Sequence, residues 1–396
     1  MVKRISHLFC TLISVLLLSG CWDMVNIEER GFIVAMAVDL VEDNENANDH
    51  NRLLLTSQIA VPPNLGTPSN SGSGGGKGYM NLSATGESMY EIAQDVANQT
   101  NKIPFFEHVK LVVISEEVAA IPELFANVMD VLIRNRDTRR GIKVLIAKGK
   151  AKDILNIEPE NDKLPARYIN KILDNSLTKT GEIRPVRVGD IHEYLLTESS
   201  FVLAKISPGD KKLNFEGGSV YNGHAKKNTG SLNMDEMLGF DLIIGENVRG
   251  PIVFDFNDQL TIYSIRGASS KIKINDKDPK NITITISIKL EGEIQETFGT
   301  VLLSEKGVIK GLERAITKKV EEITKKTIHK AQKDLETDIF GMEDKLKKFH
   351  YDTWKEVHNN WDHGENYFSK SNIHVNVNVK VRTDGVVDIS KDKKVK

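Results

Sequence analysis

The chain has 396 residues, 40% of them hydrophobic and 27% charged, with a formal net charge of −2. That length carries two or three domains with real cores. A slightly acidic, mixed-sign composition argues against nucleic acid as a partner and against a generic anionic-lipid patch. The two cysteines, Cys10 and Cys21, are too few for a disulfide framework.

The chain opens Met1-Val2-Lys3-Arg4 and then runs apolar, with small interruptions, from Leu8 to Leu18. A basic start, an apolar core of about a dozen residues and small residues before a cut point describe a secretory signal over residues 1–20. The run is too short to span a bilayer as a helix, which takes roughly 20 residues. Its end, Leu18-Ser19-Gly20-Cys21, resembles the bacterial lipobox. There the cysteine thiol is alkylated with diacylglycerol and becomes the acylated first residue of the mature chain. On that reading Cys10 leaves with the signal and Cys21 is a thioether, so no free thiol serves as nucleophile, redox centre or metal ligand. Two or more acyl chains anchor stably where one is marginal. Residues 21–30 are then a lipidated tether, and the rest is a body outside the bilayer.

The body begins with strand candidates at Gly31–Leu40 and Arg52–Val61. The stretch Gly66–Gly78, "GTPSNSGSGGGKG", has no side chains to bury and reads as a surface loop. It is not a phosphate-binding loop, because Gly78 rather than Ser or Thr follows Lys77 and residues 79–84 read as strand. Helices are expected over Glu87–Thr100 and Ile121–Asn135, strands over His108–Ser115 and Gly141–Gly149, and helical pieces around Lys163–Leu177 and Asp190–Leu196. Alternation of this kind describes an N-terminal α+β domain at 31–197.

From Phe201 the texture changes to short strands, with a hairpin expected about Asn222-Gly223, giving a middle β-rich domain at 198–268. In 269–390 the patterns are sharpest. Ile282, Ile284, Ile286, Ile288 and Leu290 alternate with polar residues, as do Ile373, Val375, Val377, Val379 and Val381, which means strands with one face on a core. Between them, Leu312, Ile316, Val320, Ile323, Ala331, Leu335 and Ile339 recur at helical steps across a helix expected over Ser304 to about Ile339, roughly 50 Å long. Helix and sheet cover each other's apolar faces, giving a C-terminal domain with a long helix against an antiparallel sheet. Residues 391–396 form a polar tail. The fold class is therefore α+β, in three domains, with largely antiparallel or mixed sheets and flanking helices.

Catalytic constellations are missing. "HYDTWKEVHNNWDH" holds His350, His358 and His363 around Trp354 and Trp361. His350 and His358 would stand about 12 Å apart along a helix, too far for one zinc, and no HExxH pattern exists. The expected role is an aromatic pair on one helix face with solvated histidines, and no metal site. No GxSxG elbow appears. The basic run Arg134–Arg140 reads as a solvated helix end rather than an anion site. No catalytic, cofactor-binding or metal-ligating residue is assigned; Cys21 is assigned as the lipidation site.

Several features together resemble a family. Cys21, Trp22 and Asp23, then Gly31-Phe32 leading a strand that ends in Asp39, are similar to the mature start of the Ger(x)C lipoproteins, the C subunits of bacterial spore germinant receptors. Asp338-Ile339-Phe340-Gly341 followed by Trp354 and Trp361 is similar to the family's C-terminal region. Met342-Glu343 stands where an aromatic-Gly is usual, and His350-Tyr351 where Tyr-Pro is common. The resemblance runs in order from Cys21 to about Ser390. It implies a non-enzymatic adaptor or assembly subunit on the outer face of the spore inner membrane. Its partners would be the integral-membrane A and B subunits, and it would carry no cofactor beyond the diacylglycerol and N-acyl groups at Cys21. Direct small-molecule binding is not expected, since the family's nutrient site is expected on the transporter-like subunit. Two other classes are a solute-binding lipoprotein, which would show two similar lobes around a cleft, and a lipid-anchored envelope enzyme.

Overall fold

Ten strands build a sheet whose four central members are parallel and whose flanks are antiparallel hairpins, as seen in a computed structural model that describes residues 26–41, 51–65, 76–176, 184–246, 248–299 and 302–382. The expected signal, Cys21, Trp22, Asp23, most of the glycine-rich loop and the polar tail lie outside the described residues. In chain order, β1 (Arg30–Leu40), β2 (Leu53–Ala60) and β3 (Tyr79–Gly86) precede helix α1 (Met89–Asn98), short β4 (Ile103–Phe105) and β5 (Leu111–Ser115). Helices α2 (Glu116–Ala120) and α3 (Leu124–Arg134) lead to β6 (Lys143–Ala147). Then α4 (Ala151–Leu155), α5 (Pro165–Asn175), β7 (Val186–Arg187) and α6 (Val188–Thr197) lead to β8 (Phe201–Pro208). The sheet closes with β9 (Leu213–Asn222) and β10 (Lys227–Leu232), giving the order β10-β9-β8-β6-β5-β1-β2-β3, with β4 on β1 and β7 on β6.

The parallel strands β5 and β6 are buried at every position. Helical crossovers cover both faces of a parallel sheet, so such strands read as continuous apolar runs rather than alternating ones. On one face Val112, Ile114, Val144 and Ile146 pack with α1, α3 and α6; on the other, Leu111, Val113 and Leu145 pack with α4 and α5. Asp39, at the end of β1, is buried and accepts the Ala151 and Lys152 amides (2.6 and 2.9 Å) at the start of α4. It supplies acceptors that the first turn of a helix lacks.

After β10 comes α7 (Met234–Ile244), then β11 (Gly250–Phe256), β12 (Gln259–Asn275), β13 (Thr283–Thr297), α8 (Val308–His329), α9 (Met342–Phe349), α10 (Tyr351–Val357), α11 (Tyr367–Lys370) and β14 (Asn372–Arg382). Strands β11 to β14 form a second, four-stranded sheet. Ile284, Ile286, Ile288 and Leu290 of β13 face Leu312, Ile316 and Val320 of α8 in one core, as the period-two and helical patterns require. Helix α8 is 22 residues, about 33 Å, rather than the longer helix expected. A π-helical turn over Lys330–Asp334 continues it, and Glu336, with φ 48°, ends it in the left-handed conformation.

Two expectations change. Strand β14 pairs with β13 in parallel, so the second sheet is mixed. Its chain must cross over from one end of the sheet to the other, and the long helix makes that crossover. Nor does 198–268 form a sheet of its own among the described residues. Strands β8, β9 and β10 complete the first sheet, while β11 and β12 belong to the second, and β12 runs straight through residue 268.

Helix α7 lies between the two sheets and joins them. It is apolar on nearly all sides, with Met237, Phe240, Leu242 and Ile243 buried, as suits a helix enclosed by other elements. Val202, Val220 and Leu232 of the first sheet share its core with Ile284 and Leu312 of the second half. A capping box starts it: Asn233 Oδ1 accepts the Glu236 amide and Glu236 Oε2 accepts the Asn233 amide. Gly245, at φ 73°, ends it.

At Gly239 the helix touches α8 closely. A Cβ there would stand 2.0 Å from Thr327 Oγ1 and 3.1 Å from the Ile323 carbonyl. Thr327 cannot yield freely, because its hydroxyl donates to the carbonyls of Glu236 and Ile323 at 3.1 Å each. Alanine would gain about 1 kcal/mol in helix propensity, but overpacking a closed contact costs about 1–3 kcal/mol and loses the Thr327 bonds as well. We expect Gly239→Ala to lower stability by a net amount of about 1–3 kcal/mol, read from urea midpoints; an unchanged or raised midpoint would refute the close contact.

Candidate functional site

The residues singled out near the C-terminal end converge where α9 and α10 meet the first sheet. Asp338 is 4% exposed and acts as a hub. Its Oδ2 accepts the Trp361 indole Nε1–H and the Glu343 amide, both at 2.8 Å, and its Oδ1 accepts the Phe340 amide at 3.1 Å. It thus serves the N-terminus of α9 and fixes Trp361, whose side chain is fully buried. Burial pushes its carboxyl up to about 7, with the neighbouring Asp362 adding to the rise while the indole bond opposes it. Gly341, at φ 66°, takes a left-handed turn that a side chain would strain.

Asp362 is also buried, and burial raises its carboxyl above the usual range. Its Oδ2 accepts the Ser200 hydroxyl and the Asp338 amide, each at 3.2 Å. Its Oδ1 faces His224 Nε2 at 3.6 Å and His363 Nδ1 at 3.7 Å, distances too long for hydrogen bonds. His224 arrives from the β9–β10 turn, in the first sheet. That turn is wider than the two-residue hairpin expected: Asn222 Oδ1 accepts the Ala225 amide at 2.7 Å, and Lys226 takes φ 52°. Gly223 is needed there because a Cβ would stand 1.9 Å from the Glu198 carbonyl. Glu343 Oε2, 3.6 Å from His224 Nε2, is the main influence raising the imidazole above its ordinary range, against a smaller opposing effect of burial. That distance makes it a charge contact rather than a formed hydrogen bond.

Other expectations land differently. Helix α10 ends at Val357, so Trp354 and Trp361 are not on one helix face. Trp354 stacks on His358, with ring centroids 4.6 Å apart, and His350 Nδ1 lies 3.0 Å from Asp276 Oδ2. His363 is not a freely solvated histidine, for its Nδ1 is buried. In the basic run, Arg134 bonds both oxygens of Asp130, Arg140 contacts His192, and Arg139 lies 4.0 Å from Glu107. Phe32 packs edge-on against Phe105 and His108 at the start of β1. Sequence reasoning misses His224, since Glu343, Asp362 and His363 stand far from it along the chain and meet it only in the fold.

Beside this junction a cleft of about 500 Å³ opens between α7, α9 and the start of β8. On its rim Arg184 pairs with Glu246 at 2.5 Å, and Asp344 accepts the Ser199 hydroxyl at 3.3 Å. Next to α7's cleft-facing side is Asp241, buried, with one carboxyl oxygen unpartnered; burial pushes it up to about 8, opposed by Arg184 and aided by Glu246.

Two outcomes follow from these buried groups. Trp361→Phe removes the donor to Asp338 and leaves a void, so the stability loss should be at least about 2 kcal/mol, read from urea midpoints; a smaller loss would show that the indole bond is dispensable. For Asp241, the folded carboxyl binds its proton more tightly than the unfolded one, whose value is 3.8. Its stabilising contribution is therefore full below about pH 4 and is lost as pH rises through about 8. Asp241→Asn should thus gain stability relative to the parent as pH rises from 5 to 8, by more than about 1 kcal/mol at the upper end; a gap independent of pH would contradict the shift.

Comparison with known proteins agrees with this architecture. The family model described as the spore germination protein N-terminal domain matches residues 23–208, and that described as spore germination B3/GerAC like, C-terminal, matches 216–385. Spore germination protein YndF of Bacillus subtilis (strain 168) is 30% identical over 388 residues, 93% of this chain and 94% of that protein. Spore germination protein A3 of the same organism is 29% identical, covering 97% and 99%. Spore germination protein B3 is 24% identical over 98% and 100%. The crystal structure of the GerBC protein superposes with a TM-score of 0.60 at 18% identity, over 89% of this chain and 99% of that one, and so shares the fold. With both halves matched in order and a 30% identical relative aligned end to end, the chain belongs to the Ger(x)C family of spore germination proteins.

Proposed function

We propose that this protein is the lipid-anchored C subunit of a nutrient germinant receptor and that it works as a non-catalytic adaptor for the integral-membrane A and B subunits. The observation that carries the reading is the family match along nearly the whole chain, starting at residue 23, two positions after Cys21. In this reading Cys21 carries diacylglycerol and an N-acyl chain on the outer face of the spore inner membrane. Among the described residues no helix is long and apolar enough to cross a membrane, which is consistent with an acyl anchor doing the attaching. The segment from Cys21 to Arg30, where β1 starts, reaches at most about 30 Å, so the body stays near the bilayer. Exposed Ile27 and Ile103 lie at that end of β1. Confinement to two dimensions raises the local concentration of the body around membrane partners.

The cleft between the sheets favours one second reading, that the body binds a small solute itself. Against it, the two sheets differ in size and topology, and a shared core ties them together. Equilibrium dialysis of the purified protein with amino acids, nucleosides and sugars decides between the two.

The test of the first reading is affinity purification from solubilised spore membranes, with mass spectrometry of partners and of the Cys21 peptide. We expect an acylated Cys21 and both integral-membrane subunits. Cys21→Ala should leave the body folded but move it to the soluble fraction, lower subunit recovery at least several-fold and slow germination. Normal assembly and germination by that variant would overturn the role given to the anchor.

A further inference from the structure

Three side-chain atoms at the junction of the two sheets are buried and without hydrogen-bond partners: His224 Nε2, Asp362 Oδ1 and His363 Nδ1. His224 is far in sequence from the adjacent Asp362 and His363, yet the three ligand atoms all lie within 4.8 Å of one another. Asp362 is 5% exposed. A buried polar atom left unbonded costs about 1–3 kcal/mol, and three such atoms facing one another are not accounted for by packing alone. Water bridges satisfy single orphans, but two imidazole nitrogens and a carboxylate oxygen are the donor set of a transition-metal ion.

The spacing fits the same answer. Tetrahedral coordination at bond lengths of about 2.0–2.2 Å places ligand atoms roughly 3.3–3.6 Å from each other. His224 Nε2 to Asp362 Oδ1 is 3.6 Å, and His363 Nδ1 to Asp362 Oδ1 is 3.7 Å. Glu343 Oε2 lies 3.6 Å from His224 Nε2, a neighbouring charge outside the three-residue group. The two imidazole rings face each other with centroids 4.0 Å apart. Around them are the outer contacts that metal ligands require. Asp362 Oδ2 is held by the Ser200 hydroxyl and the Asp338 amide.

We propose that His224, Asp362 and His363 bind one zinc-class divalent metal ion that pins the β9–β10 turn of the first sheet to the α10–α11 connection of the second half. Two neutral imidazoles select zinc and its neighbours over magnesium or calcium, which favour all-oxygen sites. The ion's charge offsets that of Asp362, which stands beside the buried Asp338. Three protein ligands leave the fourth position to water, while the ion's work here is to join two segments of the fold.

The test uses the full-length protein in detergent, stripped with chelator and then titrated with zinc chloride. We expect one equivalent bound per chain, X-ray absorption of the zinc-loaded protein showing two imidazoles among light-atom ligands, and a rise in thermal midpoint on adding zinc. In His224→Ala and His363→Ala, affinity should fall at least about 100-fold and the thermal rise should vanish, while His350→Ala, away from the site, behaves as the parent. No stoichiometric zinc, an absorption spectrum without histidine, or unchanged binding in the His224→Ala/His363→Ala double variant would overturn the proposal. The absorption measurement needs no variant, so a folding defect in any of them leaves the proposal open to refutation.

Discussion

Helix α7 is buried along most of its length, and its apolar side chains share one core with strands of both sheets. The first sheet's last strands offer Val202, Val220 and Leu232, and the second sheet offers the alternating isoleucines of β13. Met237, Phe240, Leu242 and Ile243 of α7 join the two sets in that core. A single apolar core then runs from one half into the other, and burial of apolar area is the main force holding them together.

The division of the chain into two family segments, 23–208 and 216–385, falls between the end of β8 and the first residues of β9. The C-terminal segment therefore lends two strands, β9 and β10, to the sheet of the N-terminal segment. Interlocking of this kind makes separate rigid-body motion of the halves costly, since it would break ladder bonds as well as the core. It suits the adaptor role proposed above. It suits less well a binding protein whose two lobes close on a ligand. The polar junction of Asp338, Asp362, Trp361 and His224 sits on the same seam, so packing, buried hydrogen bonds and the inferred metal position all act between the same two halves.

The alternating isoleucines and valines of β13 and β14 and the stripe of α8 identify a helix on a sheet from sequence alone, because one-sided burial leaves a clean period. The parallel pairing of β14 does not show there, since direction follows from the length and path of a connection and not from the strand itself. Helix α7 escapes a periodicity reading because a helix buried all round loses its polar face, although Asn233, Glu236 and Gly245 do mark both its ends. Asp39, Asp338 and Trp361 stand out through the family resemblance. Their work, capping helices and bonding to each other, requires the fold. His224 carries no local mark, as its partners are brought in by the crossing of the chain between sheets.

If the two sheets form one cooperative body, neither should open without the other. Hydrogen–deuterium exchange along a urea series, read on peptides from β5–β6 and from β13–α8, measures this. One body predicts that both regions lose protection at the same urea concentration, with equal opening free energies within about 0.5 kcal/mol. Protection that persists in β5 and β6 after β13 and α8 have opened would show two independently stable units and contradict the account.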